Sequence, residues 1–424
     1  MDLAAKELAD VELAVTDVVY GGRGLARHAG LVVFAGGVLP GERVRLRITH
    51  RHQNYADADL LEVLAPSAQR VAPACPLSEP GRPAADRCPG CTYQHASYEE
   101  ELRLKHAQLL NLLQRIGKAD PAVCLPPIGA PQALGYRNKI TLHFRKEPPA
   151  LSAEGVTSPP YRLGYVAADN VSIVDVPACP IAHPAINAEL ARLRDDSQFM
   201  ASFGEARKLT LRCTPRNGVV VWQDAASGGG RLEEQTAIGP MSVPRQSFFQ
   251  VNPAVADLLL REASIVIAGA GPKTVVDLYC GTGLFGLAAA KAGVPRVIGV
   301  DSDAASIRAA RANARQHGLD AAEFVAGNAV QELRRFAQAV EWKDAAVIVD
   351  PPRSGLERGL AALLGTLRPR LLLYVSCAAD TLARDVALLA PAGFRLRSSR
   401  VLDMFPRTAS FETLSVLAGT SPVS

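Results

Sequence analysis

Between residues 8 and 66 the apolar positions come in short alternating runs. VELAVTDVV leads into the turn Gly21-Gly22, then GLARH, then the hairpin-like LVVFAGGVLPGERVRLRI and DADLLEVL, and Pro66 closes the segment. Alternation of this kind marks strands with one buried face. Five such strands in about 60 residues predict a small antiparallel barrel of the OB type, an architecture that often binds oligonucleotides. Residues 67–245 are mixed. Over 97–116, Leu102, Leu109, Leu112, Leu113 and Ile116 keep helical spacing; 148–160 reads as a Pro/Ser/Ala-rich loop, and Gly228-Gly229-Gly230 as a tight hairpin turn. From 246 to 420 the pattern changes again. Short aliphatic runs at 275–278, 297–300, 346–349 and 371–375 are bounded by Gly, Pro or Asp and predict buried parallel strands. Helical patterns at 304–317 and 381–389 lie between them. The expectation is an α/β protein: a doubly wound, Rossmann-like domain at 246–420, a mixed α+β central domain at 67–245 and a β-barrel at 8–66.

Composition changes this picture little. The chain has 424 residues, 48% hydrophobic and 21% charged, as a folded protein of two or three domains should. No apolar run reaches the roughly 18 residues that a membrane span needs. MDLAAKELADVEL has acids among its apolar positions and does not read as a signal peptide, so a cytoplasmic address and no membrane partner are expected. A net charge of +4 is too weak to argue for nucleic acid. Arg43, Arg45, Arg47 and Arg51 alternate along one segment and Arg137 pairs with Lys139; on charge alone such groups are solvated faces.

The chemistry gathers at predicted strand ends. VVDLYCGTGLFGLAAAK is a strand, a glycine turn and a helix, with Gly281, Gly283 and Gly286 in G-x-G-x-x-G spacing, a pattern shared by dinucleotide sites and methyl-donor sites. Asp277 would repel a pyrophosphate and suits a cationic ligand such as S-adenosylmethionine. Asp301, ending VIGVD, is placed to accept ribose hydroxyls, and Asn328, ending EFVAGN, to bond an adenine edge. Each alone is better read as a helix N-cap; three at successive strand ends favour a cofactor. Asp350-Pro351-Pro352-Arg353 ends the fourth strand, where two prolines fix an extended backbone that cannot continue the ladder. Tyr374-Val375-Ser376-Cys377 ends the fifth. A lone cysteine is most often a small core residue, but one that opens into a crevice just before a helix is a candidate thiolate, its pKa lowered by the helix N-terminus. Carbon-5 of uracil needs such help: sulfur adds to carbon-6, carbon-5 then takes the methyl, and a base removes the carbon-5 proton. Glu412, at the start of a C-terminal strand, is the candidate base; its ordinary reading is an exposed strand-edge glutamate.

FFQVNP (248–253), DLYCGTG, DPPRSG, YVSC with TLARD, and SFETL together resemble the RNA uracil-5-methyltransferases, over nearly the whole chain, and most resemble the rRNA branch with a TRAM barrel and an iron–sulfur site. The resemblance implies a class I methyltransferase fold, contacts to S-adenosylmethionine from Gln250, Tyr279, Asp301 and Asp350, Cys377 as nucleophile and Glu412 as base. Two departures stand out: Ser410 where the family often has His, and Ala378-Ala379 where it usually has Asn-Pro.

Of eight cysteines, Cys75, Cys88 and Cys91 lie together and Cys179 comes later. Four thiolates can hold zinc or a 4Fe–4S cluster. Spacing slightly favours zinc as the commoner ion; the resemblance implies the cluster, in a structural role, because uracil methylation needs no electron. Cys124 and Cys213 read as core residues, and Cys280 as lining the glycine turn. A uracil must be unstacked to react, so Tyr136, Arg137, Lys139, Phe248, Phe249 and the barrel arginines are candidates for an RNA track, on rRNA first and tRNA second, with the enzyme acting as a monomer. Rival readings are a methyltransferase of an exocyclic amine, which would tolerate loss of Cys377, a non-catalytic RNA-binding protein on the same fold, and a cluster-bearing redox protein.

Overall fold

A computed structural model describes residues 10–79, 81–147, 161–203, 207–224 and 230–419. The N-terminal unit is one six-stranded sheet made of β1 (Asp10–Ala14), β2 (Asp17–Val19), β3 (Arg23–His28), β4 (Leu31–Ala35), β5 (Arg43–Arg51) and β6 (Tyr55–Ala65), in the order β1-β5-β6-β4-β3-β2. Alternation turns Val11, Leu13, Val33, Val44, Leu46 and Ala56 inward as a small core. Six strands form where the sequence suggests five. VELAVTDVV breaks at Val15-Thr16, whose amides turn to the carbonyls of Glu42 and Leu25. The sheet is also not wholly antiparallel: β5 carries the chain across, so β4 and β6 run parallel.

The central segment opens with α1 (Tyr98–Arg115), capped by the Ser97 hydroxyl, which accepts the Glu100 amide, and with Glu99, Glu100 and Glu101 in its first turn. Next, β7 (Cys124–Ile128) leaves to join the C-terminal sheet. Then β8 (Lys139–Lys146), β9 (Tyr161–Val166), β10 (Ile173–Asp175), β11 (Lys208–Thr214) and β12 (Gly218–Gln223) form an antiparallel sheet ordered β10-β9-β8-β11-β12. Its core includes residues of α2 (Pro184–Asp195) and α3 (Ser197–Ala201), among them Ile186, Leu190 and Met200. β13 (Arg231–Thr236) and β14 (Gly239–Pro244) make a hairpin. The expected loop at 148–160, and residues 228 and 229 of the expected glycine turn, fall outside the described residues.

The C-terminal unit alternates α4 (Pro253–Ala270), β15 (Thr274–Leu278), α5 (Leu284–Lys291), β16 (Arg296–Asp301), α6 (Ala304–Gln316), β17 (Ala322–Ala326), α7 (Ala329–Arg335), β18 (Ala345–Val349), α8 (Leu360–Leu367), β19 (Leu371–Ser376) and α9 (Ala379–Leu389), and ends in β20 (Phe394–Leu402) and β21 (Glu412–Gly419). The sheet order is β17-β16-β15-β18-β19-β21-β20-β7, with β21 antiparallel to both neighbours. Strands β15, β18 and β19 are buried along their whole length. Helices cover both faces, and each Val, Leu or Ile so enclosed contributes about 1.5–3 kcal/mol. Because β15 has β16 on one side and β18 on the other, all three parallel, the order of strand addition reverses there and a crevice opens at the strands' carboxyl ends. Among the described residues no helix is long and apolar enough to cross a membrane.

Candidate active site

The glycine turn after β15 floors the crevice. Gly281 (φ +53) has nothing within 4 Å of where a Cβ would stand, so it leaves open space. Gly283 (φ +89) is required for another reason: a Cβ would lie 2.9 Å from the Phe324 ring. Tyr279 itself is left-handed (φ 64), an unusual state for a bulky residue. Its buried hydroxyl faces Glu357, and burial and then Glu357 push its pKa up. Asp301 accepts the Gly281 amide on one carboxylate oxygen and the Asp303 amide on the other, both at 2.8 Å, which leaves lone pairs on each for a ligand.

Asp277 lies elsewhere than its charge suggests. It is fully buried beneath the turn and accepts the Gly286 amide at 2.8 Å, with burial pushing its pKa up to about 8. It braces the turn from beneath, where burial disfavours its charged form. Asn328 caps α7 through Oδ1 and donates from Nδ2 to Glu357 at 2.6 Å, so its amide is already engaged, as an N-cap's would be. Gln250 is buried on the loop before α4. On that loop Ser247 donates to Asp303 at 3.1 Å, which ties it to the rim at the end of β16.

The reacting groups meet at the other side of the crevice. β19 and β21 are antiparallel with Ser376 opposite Thr413, and the Thr413 hydroxyl donates to the Ser376 carbonyl at 3.0 Å. Cys377 is one step beyond that pair and Glu412 one step before it, so the register alone makes them neighbours. Asp350 directly follows β18, the next strand over. The sequence leads to an expectation of a lowered thiol pKa at Cys377, and here the structure corrects it. Burial, then Glu412 and Asp350, push the thiol up, and Arg353 opposes them. Burial and Asp350 likewise hold Glu412 well above the carboxylate range, and burial with Asp301 lifts Asp350 to about 7. Glu412 is buried and its Oε1 has no hydrogen-bond partner, which is not how a strand-edge glutamate sits.

The TLARD stretch clamps the Asp-Pro-Pro loop. Thr381 donates to the Arg353 carbonyl at 3.0 Å and Arg384 to the Ser354 carbonyl at 2.8 Å. Buried Asp385 accepts the Leu356 amide at 2.8 Å and the Tyr374 hydroxyl at 2.7 Å. These supports, and the placing of Arg353 against both reacting groups, go beyond what the motifs alone suggest.

Among the described residues no group of three or more His, Cys, Asp or Glu is spaced to hold a metal ion. Cys75, Cys88, Cys91 and Cys179 nevertheless share one corner. Burial, and behind it the charge of neighbouring cysteines, pushes the thiols of Cys75, Cys88 (to about 11) and Cys91 (to about 12) up. Asn187 holds the Cys179 backbone by its amide at 2.9 Å and its carbonyl at 3.0 Å. Cys280 is buried under the glycine turn, and Cys124 and Cys213 are half-buried.

The expected RNA track is thinned. Arg45 pairs with Glu12 and Glu62, and Arg47 with Asp10, the solvated-face arrangement. Tyr136 is buried and donates to the Pro406 carbonyl at 2.9 Å, and Phe249 is buried beneath Arg212. Phe248 is 73% exposed. Lys139 and Arg245 both lie over the Trp222 ring, at 6.0 and 5.6 Å.

A family model described as tRNA (Uracil-5-)-methyltransferase matches residues 239–419. An uncharacterized RNA methyltransferase of Thermosynechococcus vestitus is 34% identical across 96% of this chain and 98% of its own. A 23S rRNA (uracil(1939)-C(5))-methyltransferase of Pectobacterium atrosepticum is 30% identical across 93% and 90%. The crystal structure of the Pyrococcus abyssi tRNA (uracil-54, C5)-methyltransferase, in complex with S-adenosyl-L-homocysteine, matches with a TM-score of 0.70, covering 96% of this chain and 100% of that chain at 24% identity, a likeness of fold.

Proposed function

The chain belongs to the RNA (uracil-5-)-methyltransferases, and on that premise we propose that Cys377 and Glu412 methylate carbon-5 of a uridine by a covalent route. S-adenosylmethionine supplies the electrophilic methyl group. The open space at Gly281 suits this donor. Asp301, Tyr279, Gln250 and Asp350 are the groups that would hold it; Asn328 would join them only by exchanging its bond to Glu357 for one to the ligand. The observation that carries the mechanism is the strand register that sets Cys377 beside Glu412. The Cys377 thiolate adds to carbon-6, and the ring π electrons move to make carbon-5 nucleophilic. Once the methyl is on carbon-5, Glu412 takes the carbon-5 proton. The double bond re-forms, the sulfur–carbon-6 bond breaks, and the thiolate returns. Glu412 must be ionised at that step, and the Arg353 charge favours that form.

Two variants test this. Glu412→Gln should let the adduct form but not resolve, so that protein linked to ordinary uridine-containing RNA accumulates. Cys377→Ser should form none and lose at least about a thousandfold in turnover. A Cys377→Ser enzyme that still methylates at the wild-type rate sinks the covalent route.

For substrate we favour large-subunit rRNA over tRNA, because full-length relatives carry that activity in their names. Methyl transfer to 23S rRNA that exceeds transfer to tRNA is the expected outcome; the reverse preference overturns it. Phe248, Lys139, Arg245 and Arg137 are the candidate RNA contacts. Cys75, Cys88, Cys91 and Cys179 would hold a 4Fe–4S cluster that fixes the Cys179 loop. Cys75, Cys88 and Cys91 all sense the charge of Cys179, as ligands gathered around one group would. Cys179→Ser should abolish iron and sulfide uptake; zinc in purified wild type at one per chain would contradict the cluster.

A further inference from the structure

We propose that Tyr20, on the barrel's β2–β3 turn, is a positioning residue for the nucleophile segment. Its hydroxyl accepts the Ala379 amide at 3.2 Å and so anchors residues 376–379 from a separate unit of the chain. The inference rests on Cys377 being the nucleophile.

Helix α9 begins without a side-chain cap: its N-cap residue is Ala378, whose methyl can accept nothing. The first amides of a helix have no intrahelical partner, and the one at Ala379 finds its acceptor on Tyr20. On the other side of Cys377, the Ser376 hydroxyl accepts the Ala378 amide and donates to the Ala378 carbonyl, both at 3.1 Å. Two hydroxyls thus pin the backbone that carries the sulfur, Ser376 from within the strand and Tyr20 from outside. The Tyr20 ring also packs edge-on against Phe411, with centroids 5.9 Å apart and planes at 82°. Phe411 is the residue before Glu412, so one side chain braces both reacting segments.

Tyr20 is itself held. Gly22 (φ +81) comes so near Thr92 that a Cβ would stand 2.2 Å from its methyl. The Thr92 and Tyr93 amides donate to the Arg407 carbonyl, and Gln108 donates to the Val18 carbonyl at 3.1 Å and to the Tyr93 hydroxyl at 2.8 Å. Burial, then Asp380 and Cys377, push the phenol up to about 12, so it stays neutral at the working pH of the thiol. The barrel thereby sets the position of the nucleophile, in addition to any part it takes in RNA capture.

The test is a double-mutant cycle in the full-length protein. Ala379→Pro removes the donated amide, and proline is well tolerated at the first helical position; Ala378 is already extended (φ −134, ψ 92), as a residue before proline should be. Single-turnover adduct formation is measured on 5-fluorouridine-containing RNA, together with RNA affinity and melting temperature. Tyr20→Phe should slow adduct formation about tenfold, as loss of one ordering hydrogen bond would, and change RNA affinity less than about twofold. In the Ala379→Pro background the same change should alter the rate less than about twofold, because no amide remains to be lost. Equal losses in both backgrounds, a loss of affinity without a loss of rate, or an unchanged rate in Tyr20→Phe each overturn the role of Tyr20. Tyr20→Phe alone decides the split between rate and affinity if the double variant is unstable. A wild-type enzyme that forms no adduct overturns the nucleophile assignment, and this inference with it.

Discussion

A half-buried thiol beside two carboxyl groups is a reluctant nucleophile, and Arg353 is the residue that offsets this. Its charge lowers the pKa of both Cys377 and Glu412 against burial and Asp350. Removing a cation raises both pKa values, so in Arg353→Ala the rising limb of the rate–pH profile should move to higher pH. The variant should be slow near neutrality and approach wild type in alkali. Adduct formation followed from about pH 6 to about pH 10 checks this, and an unmoved limb removes Arg353 from the site. The residues of the chemistry were legible because each lies in a short local motif. Their mutual electrostatics were not, since burial and the Ser376–Thr413 register are properties of the folded chain. The departure at Ala378-Ala379 was visible as a pattern, but the tyrosine that caps it lies about 360 positions away, beyond any local reading.

Among the elements, α9 shows how a helix can serve as a clamp. Asp385 joins three parts of the site through the Tyr374 hydroxyl, the Leu356 amide and Arg384. Asp385→Ala leaves those donors without their buried acceptor and should cost about 2–4 kcal/mol, seen as a shift in the denaturant midpoint. Turnover should fall further than stability explains, because the Asp-Pro-Pro loop loses its tether. Helix α1 and the four central parallel strands follow the sequence periodicity closely, since helical spacing and fully apolar runs report directly on burial. Strand β7 does not. Its sequence CLPPI has two prolines and no alternation, and it pairs only at the sheet edge with β20, where missing donors are tolerated. The parallel β4–β6 pair was equally hidden, because orientation depends on the crossover and not on the strands' own residues.

Across the whole molecule the three units meet at residues 403–411. Lys105 of α1 donates to Glu101 and to Asp403 at 2.7 Å, all three fully buried, and Glu101 also accepts the Arg407 amide at 2.7 Å. Burial lifts Glu101 to about 7 even with Lys105 beside it. Lys105→Met would leave two carboxyl groups facing each other in the interior and should destabilise the protein by about 3–5 kcal/mol, measured by chemical denaturation. A loss under about 1 kcal/mol would mean that the network is solvated and does not join the units. The same junction carries Tyr136, which resembles an RNA contact in sequence but is buried, its hydroxyl donating to the Pro406 carbonyl.

Mapping where the protein is joined to RNA decides whether Cys377 is the nucleophile. Wild-type enzyme is incubated with S-adenosylmethionine and a 5-fluorouridine-containing substrate, whose carbon-5 carries no removable proton, and the adduct is digested and sequenced by mass spectrometry. The expected product is one nucleotide-bearing peptide, modified at Cys377, with the new methyl on carbon-5 of the attached ring. A methylated RNA released without any linkage, or a linkage at a residue other than Cys377, would contradict that assignment.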